Sequence, residues 1–133
     1  MLVSVLRQGD FLIASIHTAL DDEEMVRFQQ DVVDRIGAER SKGIIIDVAA
    51  LDVLDSFGTR CLHNLAHMAR LRGAETVIVG IQPDVAFAMV QLGTALEAHT
   101  ALDLEEGLQL LEELTSGGRV GGSSLGVVRD DDG

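Results

Sequence analysis

The chain has 133 residues, enough for one domain built around one core. Its 22 acidic residues outnumber 10 basic ones, giving a formal charge of -12, which argues against nucleic acid and anionic membrane surfaces and favours a basic partner. Hydrophobic residues make up 47%, with no Trp or Tyr and four Phe, so the core must be mainly aliphatic.

Residues 2–7 and 11–17 read as two short strands, with Gly9-Asp10 as the hairpin signal between them. Asp21-Asp22-Glu23-Glu24 puts four acids at a helix start, where the dipole favours negative charge. Met25, Phe28, Val32, Val33 and Ile36 then recur at helical spacing. Gly37 falls near the end of that helix, although residues 38–40 can add a turn. Ile44-Ile45-Ile46-Asp47-Val48 is a continuous β-branched run, as expected of a central parallel strand.

A second helix is predicted from Ser56 to Leu71 and should end at Gly73. Its inward face is expected to hold Phe57, Cys61, Leu65 and Met68, with Leu62 and Ala69 alongside. Residues 76–80 form another central strand. Pro83 suits the first turn of a third helix running through Val85, Phe87, Ala88 and Val90 to Leu92, where Gly93 is a good terminator. A short strand is expected over 98–101. The last helix should follow Asp103, with Asp103 and Glu106 at capping-box spacing and Leu104, Leu108, Leu111 and Leu114 facing inward.

The order β-β-α-β-α-β-α-β-α gives an α/β fold, a mixed, mostly parallel sheet of about five strands packed by about four helices. Crossover handedness places the helices that link central strands on one side unless the strand order reverses. The expected domain covers residues 1–115. Residues 116–133 read as a flexible, glycine-rich, acidic tail, in which Leu125 to Val128 are the segment able to dock on a partner. No apolar run approaches the roughly 18 residues of a membrane span. The first residues lack the pattern of a signal peptide. Cys61 is the sole cysteine, which excludes an intrachain disulfide. A cytoplasmic location is therefore expected.

Candidate chemistry is sparse. His63 and His67 share a helical face, but the Glu of a zinc-protease motif is missing and no further ligand completes a set with His17 or His99. Surface histidines, no metal and no cofactor are the expectation. Asp47, Asp52 and Asp55 resemble a carboxylate cluster, yet no lysine follows Lys42, as a phosphate-accepting receiver domain would need. No Gly-x-Ser-x-Gly pattern surrounds Ser56, and no nucleophile-base pair is evident, so an enzyme is not expected. Ser56 itself sits where a helix should begin. Its hydroxyl can cap an orphan N–H, or it can carry a phosphate that meets the same amides and the positive end of the dipole.

Asp55-Ser56 after a strand, at the start of the second helix, resembles the phosphorylation site of STAS domains, the fold of the anti-sigma factor antagonists. The likeness extends over about residues 2–114. It is carried by Leu12-Ile13-Ala14-Ser15-Ile16, Asp21-Asp22, Ile45-Ile46-Asp47, Asp55-Ser56-Phe57, Val79-Gly80-Ile81-Gln82-Pro83, Leu92-Gly93 and Thr100-Ala101-Leu102-Asp103-Leu104-Glu105. These segments are most similar to the RsbS-type stressosome branch of the family. The resemblance implies a phosphorylated Ser56, with Asp55, Ser56, Phe57 and Thr59 in the partner contact. It also implies association with an RsbR-type STAS paralogue, in homo-oligomers and a large hetero-oligomeric assembly. An RsbT-like switch kinase would be held there and released on phosphorylation. A small stand-alone antagonist of an anti-sigma kinase is the alternative. The tail beyond Leu114 is longer and richer in glycine than the family pattern.

Overall fold

A computed structural model describes residues 2–86 and 98–116 and contains one five-stranded mixed sheet. Its strands are β1 (Val3–Gln8), β2 (Phe11–Ile16), β3 (Gly43–Asp47), β4 (Glu75–Val79) and β5 (His99–Ala101). They lie in chain order. β1 is antiparallel to β2, and every other neighbouring pair is parallel. The helices are α1 (Asp22–Glu39), α2 (Ser56–Leu71) and α3 (Leu104–Ser116). Residues 83–86 are also helical, so Pro83 opens a helix as expected. The rest of that predicted helix, including Phe87, Leu92 and Gly93, lies outside the described residues. So does the tail from residue 117.

The hairpin turns at Gly9, whose φ of +62° is a left-handed value that costs glycine nothing. Its register pairs Gln8 with Phe11 and Val3 with Ile16. Side chains alternate along each strand and divide the core in two. Leu12, Ala14, Ile16, Ile44, Ile46 and Ile78 face α1 and α2, whereas Phe11, Ile13, Ile45, Val77 and Val79 join Leu111 of α3. α1 and α2 each link parallel neighbours, and right-handed crossovers put both on the same face. α3 follows the last strand and is free of that constraint, so it covers the other face.

All five apolar positions predicted for α1 are buried. Its start is a complete capping box: Glu24 N–H donates to Asp21 Oδ1 at 2.7 Å, and Asp21 N–H donates to Glu24 Oε1 at 2.9 Å. The helix runs two residues past Gly37 and ends at a left-handed Arg40, φ +53°. α2 has the predicted limits, but its buried stripe is rotated. Gly58, Thr59, Cys61, Leu62, Leu65, Ala66 and Ala69 are buried, while Phe57 and Met68 are half-buried at the margin. The small residues decide this, because they let α2 approach its neighbours closely.

α3 likewise comes near the sheet through a glycine. A Cβ on Gly107 would stand 2.7 Å from Val79 Cγ1. Leu111 is fully buried and Leu108 and Leu114 partly so, but Leu104 is exposed rather than inward-facing. The predicted capping box is also only half formed. Asp103 Oδ1 accepts from Glu106 N–H at 2.9 Å, but Glu106 Oε1 accepts from Leu102 N–H instead of Asp103. Among the described residues no helix is long and apolar enough to cross a membrane.

Candidate phosphorylation and partner-binding site

The site is built where β3 hands over to α2, at the carboxyl end of the parallel strands. Val48 N–H continues the sheet by donating to Val79 C=O at 3.1 Å. Asp47 then turns its carboxylate back to accept from Ala49 N–H at 2.9 Å, and Leu51 N–H donates to Val48 C=O at 2.9 Å. Leu51 and Leu54 drop into the core, whereas Val53 between them is 70% exposed and Asp52 is exposed. The loop is thus pinned by two leucines and offers an apolar tip flanked by acids.

Asp55, not Ser56, caps α2. Asp55 has extended backbone angles, and its Oδ1 accepts from Gly58 N–H at 2.8 Å. Thr59 N–H donates to Asp55 C=O at 2.9 Å and closes the first turn. The capping role considered for Ser56 is corrected for this reason: the cap site is already filled one residue earlier. Ser56 is the first residue of the helix, is half-buried, and its hydroxyl is engaged in no hydrogen bond among the described residues. Its side chain takes no part in the cap.

Phe57 is half-buried and lines a groove of about 170 Å³ with Leu20, Met25, Leu51, Val53 and Leu54, together with the acids Asp22 and Asp55. Thr59, expected in the partner contact, is buried in this structure. It is 1% exposed, and its Oγ1 is buried without a hydrogen-bond partner among the described residues. Helical geometry turns it into the core. The surrounding field is negative. Burial pushes the Cys61 thiol above its usual 9.0, the charges of Asp22 and Asp55 push it further, and Arg60 only partly opposes them. Cys61 is a buried core thiol, and the same burial favours its protonated form.

Gln82, which the sequence marked only within the segment Val79-Gly80-Ile81-Gln82-Pro83, also contributes to the site. Gln82 Nε2 donates to Ala49 C=O at 2.8 Å and approaches Asp52 Oδ1 at 3.4 Å. Gly80, at φ +79°, packs so tightly on Ala49 that a Cβ there would stand 2.8 Å from the Ala49 Cβ. A glycine at a strand end followed two residues later by a long amide was the available signal. The histidines are dispersed. Ser4 Oγ lies 2.9 Å from His17 Nε2, and His99 Nε2 lies 3.6 Å from Glu75 Oε1. Among the described residues no three His, Cys, Asp or Glu side chains are placed to hold a metal.

The sheet order, the strand-to-helix turn and its serine agree with a family match. Residues 3–107 match the STAS domain model. The chain belongs to the STAS domain family. Within it, the chain is closely related to the stressosome RsbS and RsbR proteins. An RsbS of Moorella thermoacetica, with one serine replaced by glutamate, is 34% identical; the match covers 84% of this chain and 96% of that one, at a TM-score of 0.76. A chain from a structure of the stressosome, described as a signal integration and transduction hub, is 31% identical over 84% of this STAS chain and 97% of its own, at a TM-score of 0.69. The RsbT co-antagonist protein RsbRA of Bacillus subtilis (strain 168) is 28% identical over 97 residues, which make up 72% of this chain and 35% of RsbRA. The chain therefore spans about a third of that relative's length.

Proposed function

We propose that this STAS domain is a non-enzymatic scaffold and antagonist resembling phosphorylation-regulated RsbS, acting in a stressosome-type assembly in the cytoplasm. In this reading it joins an RsbR-type paralogue, holds an RsbT-like switch kinase and releases it when Ser56 is phosphorylated. The observation that carries the reading is the uncommitted Ser56 hydroxyl at the start of α2, beside an acid that already caps the helix. A phosphate there adds about 1.5–2 negative charges at neutral pH. It would stand next to Asp55, beside a groove that Asp22 and Asp55 help to line. A kinase surface that closes over Ser56 and excludes water then meets a charge it cannot solvate, which favours release. Relatedness to a stressosome chain and to an RsbT co-antagonist supports the partner assignment.

The direct test is incubation with the cognate switch kinase and ATP, with the phosphate located by mass spectrometry. Modification should fall on Ser56 and be lost in Ser56→Ala. No modification by an active kinase, or modification elsewhere, overturns the site. Light scattering of this protein, the paralogue and their mixture tests the scaffold. A mixture that stays at the masses of its separate folded components favours the stand-alone antagonist.

A further inference from the structure

The loop that presents Ser56 is sparsely held. Among the described residues no backbone hydrogen bond outside helices and strands begins or ends on Asp52, Val53 or Leu54. Two buried leucines anchor it from below. From the side it is gripped by the segment after β4. Gly80 closes on Ala49 with a left-handed φ and no side chain, and the half-buried Gln82 reaches 33 residues back in sequence to the Ala49 carbonyl. The same Nε2 faces the Asp52 carboxylate at 3.4 Å. One amide group thus ties the start of the loop to the exposed acid beside its apolar tip.

We infer that Gln82 is a positioning residue for the phosphoacceptor: it holds the Ala49–Asp52 segment so that Ser56 and Val53 are presented in one arrangement to the kinase. The inference rests on the Ser56 reading above. Gln82 touches neither Ser56 nor the transferred phosphate, so it acts on the population of loops ready to dock. If only a fraction of molecules is ready, apparent affinity falls by that fraction while the chemistry on the bound complex is unchanged. The loss of one such hydrogen bond corresponds to a KM increase of about three- to tenfold, with kcat unaltered.

The test uses the full chain, the cognate kinase and two substitutions. Gln82→Glu keeps the length but replaces the donor with an acceptor that faces a carbonyl and a carboxylate. Gln82→Lys keeps a donor of similar reach. Gln82→Glu should raise KM and speed amide hydrogen exchange across residues 49–56 without changing kcat, and Gln82→Lys should restore both. A merely structural role would lower the melting temperature without this split and without the lysine rescue. Unchanged KM in Gln82→Glu, while the wild type is modified on Ser56, overturns the inference and leaves the proposed function standing. A wild-type chain left unmodified on Ser56 by an active kinase overturns both.

Discussion

Removing the Asp55 side chain should cost stability that removing the Ser56 side chain does not. Asp55 Oδ1 accepts from Gly58 N–H at 2.8 Å and is the cap of a helix whose first turn contains no other acid. Losing such a cap costs about 1 kcal/mol, within a range of roughly 0.5–2 kcal/mol. For a domain of this size that corresponds to a fall of about 3–6 °C in Tm. Asp55→Asn retains an acceptor oxygen and forfeits only the charge at the positive end of the dipole, a smaller loss of about 0.3–1 kcal/mol. Ser56 lies one residue inside the helix and its hydroxyl caps nothing. Alanine is the better helix former there by a few tenths of a kcal/mol, so Ser56→Ala should be neutral or slightly stabilising. Paired urea and thermal melts of the three variants decide the matter. A Ser56→Ala loss equal to that expected for Asp55→Ala, with Asp55→Ala near neutral, would refute the cap assignment. The result also governs how kinase assays are read, because a folded Ser56→Ala chain that takes no phosphate has lost only its acceptor.

Ser56→Asp adds one negative charge where phosphate would add about 1.5–2, so titration against the kinase at fixed ionic strength should show a partial loss of affinity; equal or tighter binding contradicts release by charge. Gly80→Ala forces a side chain into a left-handed backbone and within 2.8 Å of the Ala49 Cβ, and should cost at least about 1–2 kcal/mol in a denaturant melt. For Cys61 the folded thiol holds its proton above its usual 9.0, so its contribution to stability is complete below that pH and is lost as pH rises through the higher folded value. Alkylation should accordingly be much slower on the folded chain than on the unfolded one at pH 9, and equal rates would show the thiol to be accessible. Truncation after Ser116 should leave the thermal transition within a few degrees, since a glycine-rich acidic segment offers little apolar area to offset its ordering entropy; a large fall in Tm would show that residues 117–133 pack on the domain.

What the sequence disclosed follows from the kind of information each feature carries. Strand runs such as Ile44-Ile45-Ile46 and the five-residue stripe of α1 are large, apolar and periodic, and burial of such residues dominates folding energy, so their pattern was sufficient. The stripe of α2 was placed slightly off because periodicity counts large residues, whereas the buried positions it missed, Gly58, Thr59 and Ala66, are small. Leu104 was misplaced for a related reason: the close approach at Gly107 sets the rotation of α3 and leaves the first leucine outside. At the site, Asp55-Ser56 was legible as a helix start, but the choice of cap between adjacent polar residues depends on backbone angles at one position, which no spacing encodes.

Gln82 was marked in the sequence by its place in the segment Gly80-Ile81-Gln82-Pro83, but its partner Ala49 was not legible, because the contact joins two loops through a parallel strand pair. That pairing also explains why the site sits where it does. β3 and β4 end level, Asp47 beside Val79, so the loops that leave them emerge together at the carboxyl end of the parallel strands. The loop after β4 can then brace the loop after β3, and a short acidic loop can remain exposed without losing its shape. A switch of this kind needs an acceptor free of structural duty. Asp55 holds the helix, and the Ser56 hydroxyl makes no hydrogen bond among the described residues, so under the proposed reading a phosphate at Ser56 would change what the surface binds while leaving the cap in place.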